Sequence, residues 1–226
     1  MSATPPPPQH GRPASRTTPV TTGAVTGGDL PTWLVPHRDL GPLDGVLGWP
    51  GRLPLPQVVL LLVACGLLVV PVLAQVIVGR HHAIGVPGEG ATPLGPVWVW
   101  AAAAVALAAL AMLGRSLRRL DWPVPGLLRA VEYGTVLLLV GASPWAYLLL
   151  AVLAAHHYGI VYRVRSSAPG SSTRSSMLAG GWPVRCTVLV VAAATDTVAV
   201  AVAVLALALV PVVATDAVRS WLRLAP

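Results

Sequence analysis

Four ionisable side chains sit inside long apolar runs of this chain: Glu132, His156, His157 and Asp196. Hydrocarbon is a costly place for such groups, so each needs a reason to be there. Glu132 lies in LLRAVEYG, one helical turn after Arg129. His156 and His157 lie in HHYGIVYR, shortly before Arg163. Guanidinium groups match the oxygens of a phosphate, and a carboxylate or imidazole beside it can move a proton. The catalytic candidates are therefore Glu132 and His157. The substrate-binding candidates are Arg129, Tyr133, His156, Tyr158, Tyr162 and Arg163. Two other readings stay open. A buried Glu–His or Glu–Arg bridge would fix two helices together, and Arg129 and Arg163 would otherwise reach out to the head groups. Adjacent histidines on a helix diverge by about 100°, so His156 and His157 do not grip one metal. His81 and His82 have only Glu89 nearby. No metal and no cofactor is expected. Asp196, between Thr195 and Thr197, reads as a cap at a turn, with a place on a transport path as its rival.

These residues need elements to hold them. The chain has 226 residues, 55% hydrophobic and 10% charged, with a mean hydropathy of +0.72. A soluble domain carries about 25% charged residues, so the balance speaks for a membrane protein. A crossing helix needs about 20 apolar residues. The runs 58–78 and 94–113 each supply one. The run 126–162 is too long for one helix and breaks at Gly141-Ala142-Ser143-Pro144, which predicts a tight helical hairpin of 126–140 and 144–163. Its two arms run antiparallel, so Glu132, Tyr133, His156, His157 and Tyr158 fall at similar depth. The last run, 182–221, is interrupted at Thr195-Asp196-Thr197. It splits into a short helix to about 194 and a full one over 198–217. The expected fold is an all-α membrane protein with six transmembrane helices. The fifth, about 20 Å long, is too short to guarantee a full crossing.

Before the helices, residues 1–30 are rich in Pro, Thr, Ser and Gly and read as a disordered tail rather than a signal peptide. Residues 31–56 mix Trp and Leu with prolines and read as a segment lying on the membrane surface. The helical domain then spans 57–222. Every basic residue is arginine, and the net charge is +7. The arginines are spread along the chain and form no basic domain, so nucleic acid is not an expected partner. With six crossings and the N-terminus inside, fourteen of the fifteen fall on the cytoplasmic side, Arg38 and Arg185 among them, and only Arg80 outside. The positive-inside rule thus favours six over five and puts both termini in the cytoplasm of a cell-membrane protein. Trp98, Trp100, Trp145, Trp182 and Trp221 fall near helix ends, where an aromatic belt belongs. Cys65 and Cys186 read as small buried hydrophobes. The loop 166–176 reads as a flexible linker.

The pieces RDLGPLDGVLGW (38–49), LDWPVPGLLRAVEYGTVL (120–137), HHYGIVYRVR (156–165), GGWPVR (180–185) and VRSW (218–221) resemble an uncharacterised actinobacterial multi-pass membrane domain. That domain is often the C-terminal part of a longer chain, whose preceding parts resemble a nucleotidyltransferase and a CDP-alcohol phosphatidyltransferase. The resemblance implies an accessory or interaction protein that supports phospholipid or lipid-linked polymer synthesis. Its partners would be membrane lipids and a CDP-alcohol phosphatidyltransferase-like protein. A membrane enzyme acting on lipid phosphate head groups and a small transporter are the alternatives. The phosphatidyltransferase signature D-G-x-x-A-R is absent: Asp44-Gly45 is followed by Val46-Leu47-Gly48-Trp49. In the domain that these pieces resemble, an acidic residue tends to follow HHY, whereas this chain has Gly159 there.

Overall fold

Long runs of Val, Leu and Ala leave the backbone no polar side chain to bond with, so it satisfies itself as helix. The computed structural model describes residues 38–47, 51–79, 95–117, 120–165 and 177–224. Among them are seven helices and no strand. A 3-10 turn at Gly41–Leu43 leads into the short α1 (Asp44–Leu47). Then follow α2 (Gln57–Gly79), α3 (Val97–Ala111), α4 (Val124–Val140), α5 (Pro144–Arg165), α6 (Gly181–Ala194) and α7 (Val198–Leu224). The breaks are those the residues dictate. Pro96 and Pro123 precede α3 and α4, where a missing N–H costs little. Gly141, at φ 67°, ends α4, and Asp196, at φ 56°, closes the α6–α7 turn. Asp196 terminates α6 through this left-handed conformation. The tail and the loop 166–176 lie outside the described residues.

Three helices, α2, α5 and α7, are long and apolar enough to cross a membrane. The sequence predicts six. The other three are shorter: α3 has 15 residues, α4 has 17 and α6 has 14. At 1.5 Å per residue they reach about 21 to 25 Å, against roughly 30 Å of hydrocarbon. Helix α4 is the hub and touches α2, α3, α5, α6 and α7. The expected hairpin partner of α4 packs differently: α5 lies mainly along α7 and only lightly along α4. Helix α3 buries Ala101, Ala104, Ala108 and Ala111, a small-residue face that lets its neighbours come close.

Helices α2 and α3 run in opposite directions. The start of α2 lies beside the end of α3, where the Gln57 amide donates to the Arg115 carbonyl (3.1 Å). Arg38 reaches the same end of α3: its guanidinium donates to the carbonyls of Met112 and of Leu47 (3.0 Å to the latter). A cation at a helix C-terminus also complements the helix dipole. Burial pushes the Arg38 guanidinium down to about 10, with Asp44 opposing the shift.

Two expectations are corrected here. Trp182 is fully buried and is no belt residue. Arg38 and Arg185 are buried too, so neither counts as a loop charge. Within the 31–56 stretch, Arg38, Asp39, Leu40 and Gly41 are inside the protein. They are held there by a close crossing of two chain segments. The Trp182 amide donates to the Asp39 carbonyl (3.1 Å). A Cβ on Gly181 would stand 2.6 Å from the Leu40 carbonyl, and one on Gly41 2.7 Å from the Gly181 nitrogen. Both glycines also have positive φ, +68° and +56°. Only glycine fits either place.

Gly181→Ala is therefore expected to cost about 3 kcal/mol through overpacking and strain. Gly126→Ala, in open space near the start of α4, should be neutral or slightly stabilising. Thermal unfolding of the detergent-purified variants checks this. Equal midpoints would show that the crossing has room for a Cβ.

Candidate functional site

Four segments converge on one buried cluster. Helix α4 brings Arg129, Glu132 and Tyr133. Helix α5 brings His156 and His157, α6 brings Arg185, and the turn before α1 brings Asp39. Arg185 sits at the centre. Its Nε donates to Glu132 Oε1 (2.8 Å), its Nη1 to the Ala179 carbonyl (2.8 Å) and its Nη2 to Asp39 Oδ2 (2.8 Å). The Nη2 atom is also 2.7 Å from Glu132 Oε1. Arg129 Nη1 donates to the other Glu132 oxygen at 3.0 Å and lies 3.9 Å from Asp39 Oδ2.

The histidines face the same carboxylates. His157 Nε2 is 3.4 Å from Glu132 Oε2 and 3.7 Å from Asp39 Oδ2, and His156 Nε2 is 3.6 Å from Asp39 Oδ1. His157 is oriented from behind by Tyr133, whose hydroxyl is 2.7 Å from His157 Nδ1. Asp39, Glu132, His156, His157 and Arg185 are all buried. Among the described residues two carboxylates face two guanidiniums, so with neutral imidazoles their charges cancel. Burial pushes the Asp39 carboxyl up, but the two imidazoles and the charges of Arg185 and Arg129 outweigh burial. They hold it well below the usual carboxylate range.

The structure thus brings together Glu132, His157, Arg129, Tyr133 and His156 from the residues singled out in the sequence. Tyr158 and Tyr162 do not join them: they stack on each other on an exposed face of α5 (ring centroids 6.5 Å apart). The Arg163 side chain lies outside the described residues. Asp196 is exposed in the α6–α7 turn, away from the cluster's contacts. Sequence reasoning missed Asp39 and Arg185, the two residues that close the network. A signal existed. Glu132 needs a buried counter-charge, and both missed residues lie in the segments RDLG (38–41) and GGWPVR (180–185).

Among the described residues, no group of three or more His, Cys, Asp or Glu is arranged to hold a metal ion. What the arrangement does chemically is to pair charge. Each carboxylate oxygen faces a guanidinium or an imidazole, and the two arginines bridge between the carboxylates. This whole cluster, Asp39 apart, falls inside a stretch with recognisable kin. Residues 53–225 match a family of unknown function, DUF5941. The chain belongs to this family. No curated protein and no solved structure matches it.

Removing one member of the cluster strands the others. Glu132→Gln and Arg185→Gln should each lower stability by about 3 kcal/mol, the usual cost of breaking a buried ion pair. Together they should cost less than the sum by at least about 1 kcal/mol, because the charge left over by one is removed by the other. Unfolding of the four proteins of the cycle in detergent measures this, and strict additivity would show that the pair is uncoupled. Acid provides an independent readout. The lowered Asp39 value means its contribution is fully present above about pH 4, the ordinary carboxylate value. It is lost as pH falls through the lowered native value. The wild-type midpoint should drop on acidification, and Asp39→Asn, less stable at neutral pH, should show a shallower drop.

Proposed function

We propose that this chain is an integral-membrane accessory module, a helical platform without chemistry of its own. The charge balance of the buried cluster carries the reading. A phosphate site needs guanidinium that is not already neutralised. Here Arg185 is saturated by Glu132, Asp39 and the Ala179 carbonyl, and Arg129 is bound to Glu132. The cluster's work is to lock α4, α5, α6 and the preceding turn to one another. The partner class comes from the resemblance to actinobacterial domains that follow CDP-alcohol phosphatidyltransferases. The module would sit beside such an enzyme among membrane lipids and support phospholipid or lipid-linked polymer synthesis.

We place it in the cell membrane with six crossings and both ends in the cytoplasm. The opposite directions of α2 and α3 support this topology. In it the starts of α2, α4 and α6 and the ends of α3 and α5 share one end of the bundle. That end carries Arg52 and Arg115, as the positive-inside rule asks. With Arg38 and Arg185 removed from the count, the bias persists. The short α3, α4 and α6 cross by drawing the bilayer thinner or by lying beside longer neighbours.

The test is turnover. The purified chain in mixed micelles with CDP-diacylglycerol and an alcohol acceptor should show none. With a CDP-alcohol phosphatidyltransferase co-expressed, the two should co-purify in mild detergent. Turnover by the chain alone that Glu132→Gln abolishes, with the fold retained, would make it an enzyme instead. A C-terminal reporter on the outer face would overturn the six-crossing topology.

A further inference from the structure

The Asp39 carboxylate is surrounded as a bound anion would be. Arg185 Nη2 stands 2.8 Å from it, Arg129 Nη1 3.9 Å, His156 Nε2 3.6 Å and His157 Nε2 3.7 Å. All four groups belong to the helices α4, α5 and α6. The carboxylate does not: it comes from a single turn of chain ahead of them.

The fit is also slightly loose. The two imidazole Nε2 atoms are buried and have no hydrogen-bond partner, with His156 5% and His157 8% exposed. His156 Nε2 faces Asp39 from just beyond hydrogen-bond reach, and His157 Nε2 stands between Asp39 and Glu132 Oε2, 3.4 Å from the latter. The cage is larger than the planar group it holds. The backbone at Asp39 is itself strained, with φ 43° in a residue that is not glycine. The turn takes up an unfavourable conformation to deliver its carboxylate.

We infer that the helical bundle contains an oxyanion pocket and that Asp39 is its tethered occupant. Without Asp39, one carboxylate among the described residues would face two guanidiniums and two imidazoles in a low-dielectric interior. An uncompensated buried cation is strongly unfavourable, so the pocket would draw in an anion from outside. Its chemistry selects an oxyanion. Guanidinium pairs with carboxylate and phosphate oxygens. A tetrahedral phosphate group, bulkier than a carboxylate, would also bring oxygens within reach of the imidazoles. The phosphate of a lipid head group and free phosphate share this chemistry. The pocket stands whether or not the chain seats a partner enzyme, because it rests on the helices' own side chains.

The experiment uses the full chain in mild detergent. Asp39→Ala empties the pocket. Its thermal midpoint is followed in sodium formate, sodium phosphate and sodium chloride at matched ionic strength. The expected result is a midpoint well below wild type in chloride. Formate or phosphate should raise it in a saturable way, while wild type does not respond. The double variant Asp39→Ala/Arg185→Gln should lose the response. If Asp39→Ala does not survive extraction, folded yield from membranes solubilised in formate against chloride is the readout, with the same expectation. A variant that responds to formate and phosphate no more than to chloride, in midpoint and in yield, overturns the inference. Dioctanoyl phosphatidate separates the sources. Action at far lower concentration than inorganic phosphate would assign the pocket to a lipid head group, and the reverse order to a free oxyanion.

Discussion

A charge buried among apolar helices must find its opposite there, because water is not at hand to screen it. In this chain that demand falls on Glu132, and its satisfaction organises the rest. Glu132 sits on the hub helix α4 and takes Arg129 from the same helix and Arg185 from α6. Those two guanidiniums exceed one carboxylate by a charge, and Asp39 supplies the missing one. Among the described residues the neutral sum is reached when the turn before α1, α4 and α6 are all in place. The buried network then contributes specificity of packing as much as stability. A bundle of Val, Leu and Ala helices has many registers of similar energy, and one charge-balanced register stands out among them.

The backbone has to allow this. Asp39 can reach Arg185 only if its own turn lies against the start of α6, and that approach leaves no room for a Cβ at Gly41 or Gly181. The glycines are therefore part of the electrostatics. The same contact carries the Trp182 amide to the Asp39 carbonyl, and the indole that follows from that backbone is fully buried. A polar network, a steric restriction and an aromatic core residue meet within a few residues of GGWPVR.

Much of the fold was legible because hydrophobic runs and proline or glycine breaks have direct local meaning. The α4–α5 break at Gly141 and Pro144 and the α6–α7 break at Asp196 follow from residue type alone. The depth match of Glu132 with His157 was legible as well, since helical rise converts residue number into distance. Arg185 and Asp39 were not. Arg185 lies near a helix start, where arginine ordinarily faces water or head groups, and charge counting alone puts it there. Asp39 lies in a stretch whose prolines and tryptophans resemble a surface segment. Their burial is a tertiary fact. The one sequence-level clue is stoichiometric: a carboxylate inside a membrane bundle calls for cations, and a surplus of cations calls for another carboxylate. The number of crossings stayed harder to read, because short helices such as α3 and α6 are apolar enough for a membrane but not long enough by themselves.

The family match begins at residue 53, yet the electrostatics of the matched region are incomplete without Asp39. Electrostatically the structural unit is therefore larger than the matched one. Arg38 supports this from the other side, since it binds the carbonyl at the end of α3 while its neighbour binds α6. Two adjacent residues thus tie one short turn to two different helices, with opposite charges and opposite roles. Arg38 meets a helix C-terminus, where the dipole favours a cation, and Asp39 meets a surplus of cations. Exchanging the two would place each against its own sign of charge. The order Arg-Asp, and not merely the presence of both, is what docks the segment.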